Sequence, residues 1–329
     1  MKGYGDEKMD KYIERVKAVV FGHAVADALG VPVEFKSRRE LSENQVTDML
    51  GYGTHPVPEG TWSDDTSMAL ATMDSLLHGV GYRDMMYRFS LWKDHAEYTA
   101  TGEVFDMGIG TRRAIVRFQN GEAAEQCGGD TEYDNGNGAL MRIYPIVLMH
   151  YLNSNSPDEY EFAEIIRRTA ALTHAHERSH VGCIIYSYAL LQVLRNQNVE
   201  AIMTGIMEAF RLCSDSKELK HYKRLTQTDF PKLPEEEINS SGYVVSTLEA
   251  AIWCVINTKS YQECILKAVN LGEDTDTVAA VAGSIAGALY GFEEIPKKWY
   301  NKLKRKEYIE ELCYRLTDKF TMGGNILVR

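Results

Sequence analysis

The chain of 329 residues is poor in the features that build β-sheets, repeat arrays and membrane spans. Segments with the period-two alternation of apolar and polar residues that predicts a strand are scarce. No low-complexity tract and no internal repeat is visible. No run approaches the roughly 20 consecutive apolar residues that a membrane-spanning helix needs. These absences favour a globular all-α protein without a membrane partner.

The cysteines and the charge exclude further classes. None of the 6 cysteines forms a Cys-x-x-Cys pair, and most lie in apolar periodic runs, which is typical of free thiols in a reducing compartment. The first eleven residues are charged and contain no apolar signal-peptide core, so we expect a cytoplasmic protein. The net charge is −11, and no Lys/Arg-rich run lies on an otherwise basic face, so nucleic acid is not an expected partner.

Apolar residues recur at helical spacing over nearly the whole chain. We interpret 1–329 as a single domain, in which the polar stretch 214–241, with two prolines, forms an exposed loop or insertion. The predicted helices cover 9–29, 63–79, 82–95, 108–120, a segment from about 139 with a proline near its start, 158–172, 176–194, 200–213, 244–256, 261–269, 278–290 and 297–319.

Two acidic stretches, 60–68 and 272–279, each open a helical pattern. They contribute four carboxylates and four hydroxyls. Mg²⁺ and Mn²⁺ prefer hard oxygen ligands of this kind, and four neighbouring carboxylates need a cation to offset their repulsion. We therefore predict that the stretches meet and bind metal; the alternative is that each is only a helix N-cap with extra acids. The residues concerned are Ser63, Asp64, Asp65, Thr66, Asp274, Thr275, Asp276 and Thr277.

Four further segments accompany the acidic pair: 22–35, 108–111, 134–142 and 173–174. In this combination and order, the sequence resembles the ADP-ribosylglycohydrolases, the family that includes dinitrogenase reductase-activating glycohydrolase and ADP-ribosylarginine hydrolase. The resemblance extends from Gly22 to Gly291, which is nearly the whole chain. It implies a compact all-α helical bundle with a metal-containing cleft.

The resemblance also implies a set of site residues and two Mg²⁺ ions, for which Mn²⁺ can substitute. Glu34 matches a glutamate that is catalytic in some members, and Glu273 stands where the family usually has glycine. The implied metal ligands are Ser63, Asp64, Asp65, Asp274, Asp276 and Thr277. The implied substrate-binding residues are Gly110, Asn135, Gly136, Asn137, Gly138 and His174.

The activity implied by the resemblance is removal of ADP-ribose from modified protein side chains, with arginine as the expected linkage. The partners would be the ADP-ribosylated protein and ADP-ribose itself. Cleavage of such an N- or O-glycoside passes through an oxocarbenium-like state, in which a carboxylate acts as acid or base. Either Asp65 or Glu34 is a candidate for that proton transfer, and the sequence does not decide between them.

Other functions remain open at this stage. The same site is compatible with serine-linked ADP-ribose, poly-ADP-ribose, O-acetyl-ADP-ribose or another ribosyl or nucleotide substrate. Residues 176–180 read His-Glu-Arg-Ser-His, a spacing typical of zinc proteases. A non-catalytic relative, as in a lens crystallin of this family, is a further alternative. The sequence does not predict the oligomeric state. His55 is not an expected metal ligand.

Overall fold

The computed structural model describes residues 4–153 and 157–321. In these ranges the regular elements are helical and no strand occurs, so the all-α prediction is confirmed. The α-helices are α1 (Tyr4–Gly30), α2 (Arg38–Glu43), α3 (Asp64–Leu76), α4 (Tyr82–His95), α5 (Ile109–Gln119), α6 (Tyr144–Leu152), α7 (Glu159–Ala171), α8 (Glu177–Asn196), α9 (Glu200–Leu212), α10 (Val244–Ile256), α11 (Tyr261–Asn270), α12 (Thr275–Tyr290), α13 (Lys297–Lys302) and α14 (Lys306–Thr321).

Helices α1 and α12 pack together at the centre of the fold. Glycines on both helices allow the two backbones to approach: a Cβ atom on Gly22 would lie 2.4 Å from the carbonyl oxygen of Gly283, and one on Gly287 would lie 1.9 Å from that of Ala18. The Tyr261 hydroxyl donates to the carbonyl oxygen of Gly22 at 2.6 Å, which joins α11 to the pair. Close contact between α1 and α12 brings the end of the first helix beside the start of the second.

By length and composition alone, the helix Glu7–Val33 could cross a membrane. The sequence analysis did not predict this, because the helix lacks a long run of consecutive apolar residues. In the structure, 94% of its most apolar window is buried inside the protein. Helices pack against α1 on several sides, and a helix surrounded in this way is apolar around its whole circumference. The composition of α1 is therefore explained by its central position.

Two predicted helices are interrupted. The helix expected from about residue 139 is a 3-10 turn (Leu140–Arg142) followed by α6, whose first turn contains Pro145; proline fits there because the first N–H groups of a helix have no partner within it. The helix expected over 297–319 divides into α13 and α14. At the break, Arg305 takes a φ of 43° and Lys304 donates its N–H to the carbonyl of Gly60 at 3.0 Å.

Helix α2 was not predicted, because six residues are too few to show a period. Its start is nevertheless well defined. The Ser37 side chain accepts a hydrogen bond from the Glu40 N–H, while the Glu40 carboxylate accepts from the Ser37 N–H at 2.8 Å. This capping box satisfies donors that a helix N-terminus otherwise leaves unpaired.

The segment 214–241, expected as an exposed loop or insertion, contains three 3-10 turns: Lys217–Thr226, Phe230–Lys232 and Glu235–Glu237. Several of its polar side chains are exposed, but Tyr222, Leu225 and Phe230 are buried. These three side chains anchor the segment to the protein, so it is not a freely projecting loop.

Candidate active site

The two acidic stretches meet at the N-termini of α3 and α12. Thr277 donates its hydroxyl to Oδ2 of Asp65 at 3.2 Å, although 212 positions separate the two residues. Ser63 donates to the same oxygen at 3.1 Å and is also the N-cap of α3, accepting the Asp65 N–H. The Ser63 side chain thus satisfies a free backbone donor at the start of α3. Asp274, the N-cap residue of α12, makes no such capping bond, and its Oδ2 accepts a hydrogen bond from Asn137 instead.

Asp27 on α1 supports this junction, and sequence reasoning gave it no role. Its fully buried carboxylate accepts the backbone N–H of Ser63 at 2.9 Å, and the N–H and hydroxyl of Thr66 at 3.1 and 2.6 Å. Burial raises the pKa of Asp27 to about 6, against these hydrogen bonds, which lower it. Asp27 thus caps α3 from a different helix and fixes the position of the first acidic stretch.

Buried carboxylates are concentrated beside this junction. Asp64, Asp65 and Asp276 are 5%, 1% and 0% exposed. Burial, followed by repulsion from neighbouring carboxylates, raises the pKa of each well above its usual range. Oδ1 of Asp65 and Oδ2 of Asp276 are buried and find no hydrogen-bond partner in the described part of the chain. Orphaned hard oxygens among mutually repelling carboxylates fit a divalent cation.

Glu34 belongs to two groups of side chains whose ligand atoms are close enough together to hold a metal ion. In one group, ligand atoms of Glu34, Asp274 and Asp276 lie within 4.8 Å of one another; in the other, so do those of Glu34, His55 and Asp106. Nε2 of His55 is 2.6 Å from Oε2 of Glu34, and this contact raises the pKa of His55. Burial, together with the charges of Asp106 and Asp274, raises the pKa of Glu34 to about 7.

This arrangement differs from the sequence interpretation in two respects. Glu34, assigned there a catalytic role only, belongs to both candidate metal groups, while Asp64 and Asp65 are in neither. His55, regarded as an improbable ligand, and Asp106, which was not singled out, lie within the site.

Glu273, in the place of the usual glycine, has a φ of 65°, a left-handed conformation that glycine adopts without cost. Its carbonyl accepts the N–H of Phe35 at 2.7 Å, and its own N–H donates to the carbonyl of Lys36 at 2.7 Å. These two bonds join the segment after Glu34 to the start of α12. A glycine at this position would adopt the same φ without strain.

The glycine-rich loop, residues 135–138, docks on the start of α10. Asn137 donates its N–H to the carbonyl of Gly242 at 3.1 Å, and Asn135 accepts the N–H of Val244 at 3.0 Å. The Asn137 side-chain amide donates to Oδ2 of Asp274 at 2.9 Å. Of the implied substrate-binding residues, Asn137 thus also orients a carboxylate of the acidic cluster.

His174, 6% exposed, is surrounded by glycines of the same loop and of α5. Cβ atoms on Gly110, Gly136 and Gly138 would come within 3.3, 3.5 and 3.4 Å of its Nε2. The structure therefore brings these four implied substrate-binding residues together, with the three glycines around the imidazole of His174.

The His-Glu-x-x-His spacing does not form a metal site. Nδ1 of His176 accepts the N–H of Arg178 as the cap of α8, and the carboxylate of Glu177 receives two hydrogen bonds from Arg167 at 2.9 and 3.0 Å. Hydrogen bonds from His180 and Arg167 lower the pKa of Glu177 to about 2, which disfavours a role as base. Over residues 4–153 and 157–321, neither group suited to a metal includes these residues. The geometry does not support the zinc protease alternative.

The fold and site define an all-α protein with a buried carboxylate cluster and a buried histidine that is surrounded by three glycines. The sequence profile described as ADP-ribosylglycohydrolase matches residues 8–325. The chain is 34% identical over 310 residues to "ADP-ribosylarginine hydrolase Tri1" of Serratia proteamaculans (strain 568), covering 92% of this chain and 79% of that protein. It is 29% identical over 297 residues to "ADP-ribosyl-[dinitrogen reductase] glycohydrolase" of Rhodospirillum rubrum, covering 89% and 91%.

A solved structure titled "ADP-ribosylglycohydrolase-related protein complex" superimposes with a TM-score of 0.79 and 32% identity, covering 95% of this chain and 100% of that one. The chain belongs to the ADP-ribosylglycohydrolase family. It is an enzyme, an ADP-ribosyl glycohydrolase that hydrolyses glycosyl bonds.

Proposed function

We propose that this enzyme uses two Mg²⁺ ions, replaceable by Mn²⁺, to hydrolyse the N-glycosidic bond between ADP-ribose and a protein arginine. The observation that carries the metal requirement is the pair of buried orphaned oxygens, Oδ1 of Asp65 and Oδ2 of Asp276. Oxygens in this setting need a cation, because no hydrogen-bond donor offsets their burial.

The residues that would hold the ions supply carboxylate and hydroxyl oxygens, the donor set that Mg²⁺ prefers. When bound, divalent ions in such a site grip sugar hydroxyls and lower the pKa of a water molecule. Asp27 holds the start of α3 in place, and Asn137 orients Asp274. The proposed ligands are Ser63, Asp64, Asp65, Asp274, Asp276 and Thr277, with Glu34 close enough to join them.

For the proton transfer we favour Glu34 over Asp65. Glu34 lies among the carboxylates of the cluster, and burial raises its pKa to about 7 when no metal is bound. Its partner His55 is close enough to exchange a proton with it. Asp65 is less suitable because one of its oxygens already accepts the hydroxyls of Ser63 and Thr277. Glu34 would hold the proton for the leaving group or take one from water.

The arginine linkage rests on two supports. Two relatives, 34% and 31% identical, carry the name ADP-ribosylarginine hydrolase, whereas those named ADP-ribosylhydrolase ARH3 are 26–27% identical. In addition, Asp106 adds a carboxylate beside the acidic cluster. A surplus of negative charge favours a cationic guanidinium leaving group over a neutral serine hydroxyl.

The test is release of free ADP-ribose from an arginine-ADP-ribosylated protein, with Mg²⁺ or with EDTA, beside a serine-ADP-ribosylated peptide. We expect Mg²⁺-dependent release from arginine and little from serine. Release from serine alone would overturn the linkage, and full release in EDTA would overturn the metal requirement. Glu34→Gln should be inactive while still binding Mn²⁺. An active Glu34→Gln beside an inactive, metal-binding Asp65→Asn would assign the proton transfer to Asp65.

We also propose that the enzyme works in the cytoplasm. All six cysteines are free and buried, as expected in a reducing compartment. Fractionation of cells that express a tagged copy tests this location, and recovery of the protein outside the cytoplasm would contradict it.

A further inference from the structure

Arg142 is a fully buried cation that the proposed chemistry does not use. It ends the 3-10 turn that follows the glycine-rich loop, and its guanidinium lies 4.8 Å from the ring centroid of Phe89. Nη2 donates to the carbonyl of Thr169 at 3.2 Å and to Oγ1 of Thr173 at 2.7 Å. Its Nε and Nη1 find no hydrogen-bond partner in the described part of the chain. An arginine buried at this cost has a structural or functional purpose.

The contact with Thr173 determines the direction of the next hydrogen bond. A guanidinium has donors only, so Oγ1 of Thr173 must be the acceptor. The hydroxyl proton is then free for another acceptor, and Nδ1 of His174 lies 2.9 Å from Oγ1. The order of donation therefore runs from Arg142 to Thr173 and from Thr173 to His174. The reverse order would leave the buried hydroxyl proton unpaired.

This order fixes the tautomer of His174. A neutral imidazole has one protonated and one unprotonated nitrogen, so a ring that accepts at Nδ1 carries its proton on Nε2. Burial, followed by the charge of Arg142, lowers the pKa of His174 to about 3, so the ring is neutral at pH 7. Nε2 is the ring nitrogen that lies near the three glycines Gly110, Gly136 and Gly138.

We propose that Arg142 and Thr173 are positioning residues that hold His174 as the Nε2–H tautomer, so that it donates a hydrogen bond to an oxygen of ADP-ribose bound beside the three glycines. The other tautomer would turn a lone pair toward that oxygen and repel it. The identity of the acceptor as an ADP-ribose oxygen rests on the proposed function, whereas the tautomer follows from contacts inside the protein.

The matched variants are Thr173→Ser, which keeps the hydroxyl, and Thr173→Val, which keeps the shape and removes it. The protein is labelled with ¹⁵N at its 9 histidines, and long-range ¹H–¹⁵N spectra are recorded at pH 7 without ligand. Comparison with His174→Gln identifies the signal of His174. We expect the Nε2–H pattern in the unmodified protein and in Thr173→Ser, and a mixture of tautomers in Thr173→Val. An Nδ1–H or doubly protonated ring in the unmodified protein would overturn the proposal.

Titration with ADP-ribose in a calorimeter tests the ligand. We expect the unmodified protein and Thr173→Ser to bind equally, and Thr173→Val to bind about 10-fold more weakly, the loss of roughly one neutral hydrogen bond. Equal binding by all three would overturn the role of the tautomer in recognition. If Thr173→Val does not fold, Thr173→Ala replaces it. The expected tautomer with no binding of ADP-ribose by any form would overturn the ligand while leaving the Arg142–Thr173–His174 contacts intact.

Discussion

The contact between α1 and α12 predicts that Gly22→Ala destabilises the protein. The new Cβ would lie 2.4 Å from the carbonyl oxygen of Gly283 and 3.1 Å from the Cα of Gly287. Ordinary van der Waals contact begins at 3.4 Å, so the nearest contact is short by about 1 Å (3.4 − 2.4). Both obstructing groups are backbone, which no rotamer change can move away. The two helices would have to separate.

The magnitude follows from three effects. Overpacking of a dense core costs about 1–3 kcal/mol. Displacement of Gly22 also disturbs the hydrogen bond from Tyr261 to its carbonyl, a loss of about 1 kcal/mol. Alanine offsets up to about 1 kcal/mol, because it is a better helix former than glycine. We therefore expect a loss of about 2 kcal/mol in the free energy of unfolding.

The assay is urea denaturation followed by circular dichroism, in EDTA so that metal binding does not contribute. Gly81→Ala is the control: Gly81 lies at the start of α4 with a φ of −122°, and its Cβ would be 3.5 Å from the nearest atom, on Asp84. We expect that control to change stability by no more than about 0.5 kcal/mol. A Gly22→Ala protein as stable as the unmodified one, with an unchanged denaturant slope, would refute the packing argument.

Three further substitutions test the charges and the backbone. Glu249 lies 3.6 Å from Arg224, and burial raises its pKa from 4.5 to about 7, so its ionisation lowers the stability of the protein as pH rises across that interval. Glu249→Gln should therefore raise Tm by a few degrees at pH 8 and by much less at pH 5. An equal rise in Tm at both pH values would contradict this prediction. Asp276→Asn should raise Tm in EDTA, because repulsion among the buried carboxylates falls. The same substitution should remove the rise in Tm that Mn²⁺ produces in the unmodified protein. If Mn²⁺ still raised the Tm of the variant, Asp276 would be excluded as a metal ligand. Glu273→Gly should add about 1 kcal/mol to the free energy of unfolding, because glycine adopts the left-handed φ without strain. Glu273→Ala keeps the strain and should not add to the free energy of unfolding. Equal stability of the two variants in urea would argue against backbone strain at this position.

Much of the fold was accessible from local pattern. The helices over 82–95 and 244–256 have the predicted bounds, because each shows an apolar period between clear stop signals. The prediction of one helix over 297–319 was wrong at residues 303–305. Tertiary hydrogen bonds to Gly60 and Thr99 stabilise a break there that no local sequence signal indicates. Periodicity reports which face is buried and carries no record of partners elsewhere in the chain.

The residues of the site likewise differ in whether the sequence alone could predict them. The acidic stretches were visible because their carboxylates are adjacent in sequence and begin helices. Asp27 had a weaker signal, a single acid within the apolar run 24–29, which a search for lone buried charges would have found. Asp106 and His55 had none, since each joins the site through loop geometry alone.

The sequence by itself determined the helical class, the two acidic helix starts and the family, because these depend on residue types at short spacing. Only the tertiary structure decided that Thr277 reaches Asp65, that Glu34 lies within both candidate metal groups, and that a buried arginine sets the direction of the hydrogen bonds to His174. Such contacts join positions far apart in the chain, and they exist only once helix packing has fixed the distances and excluded water.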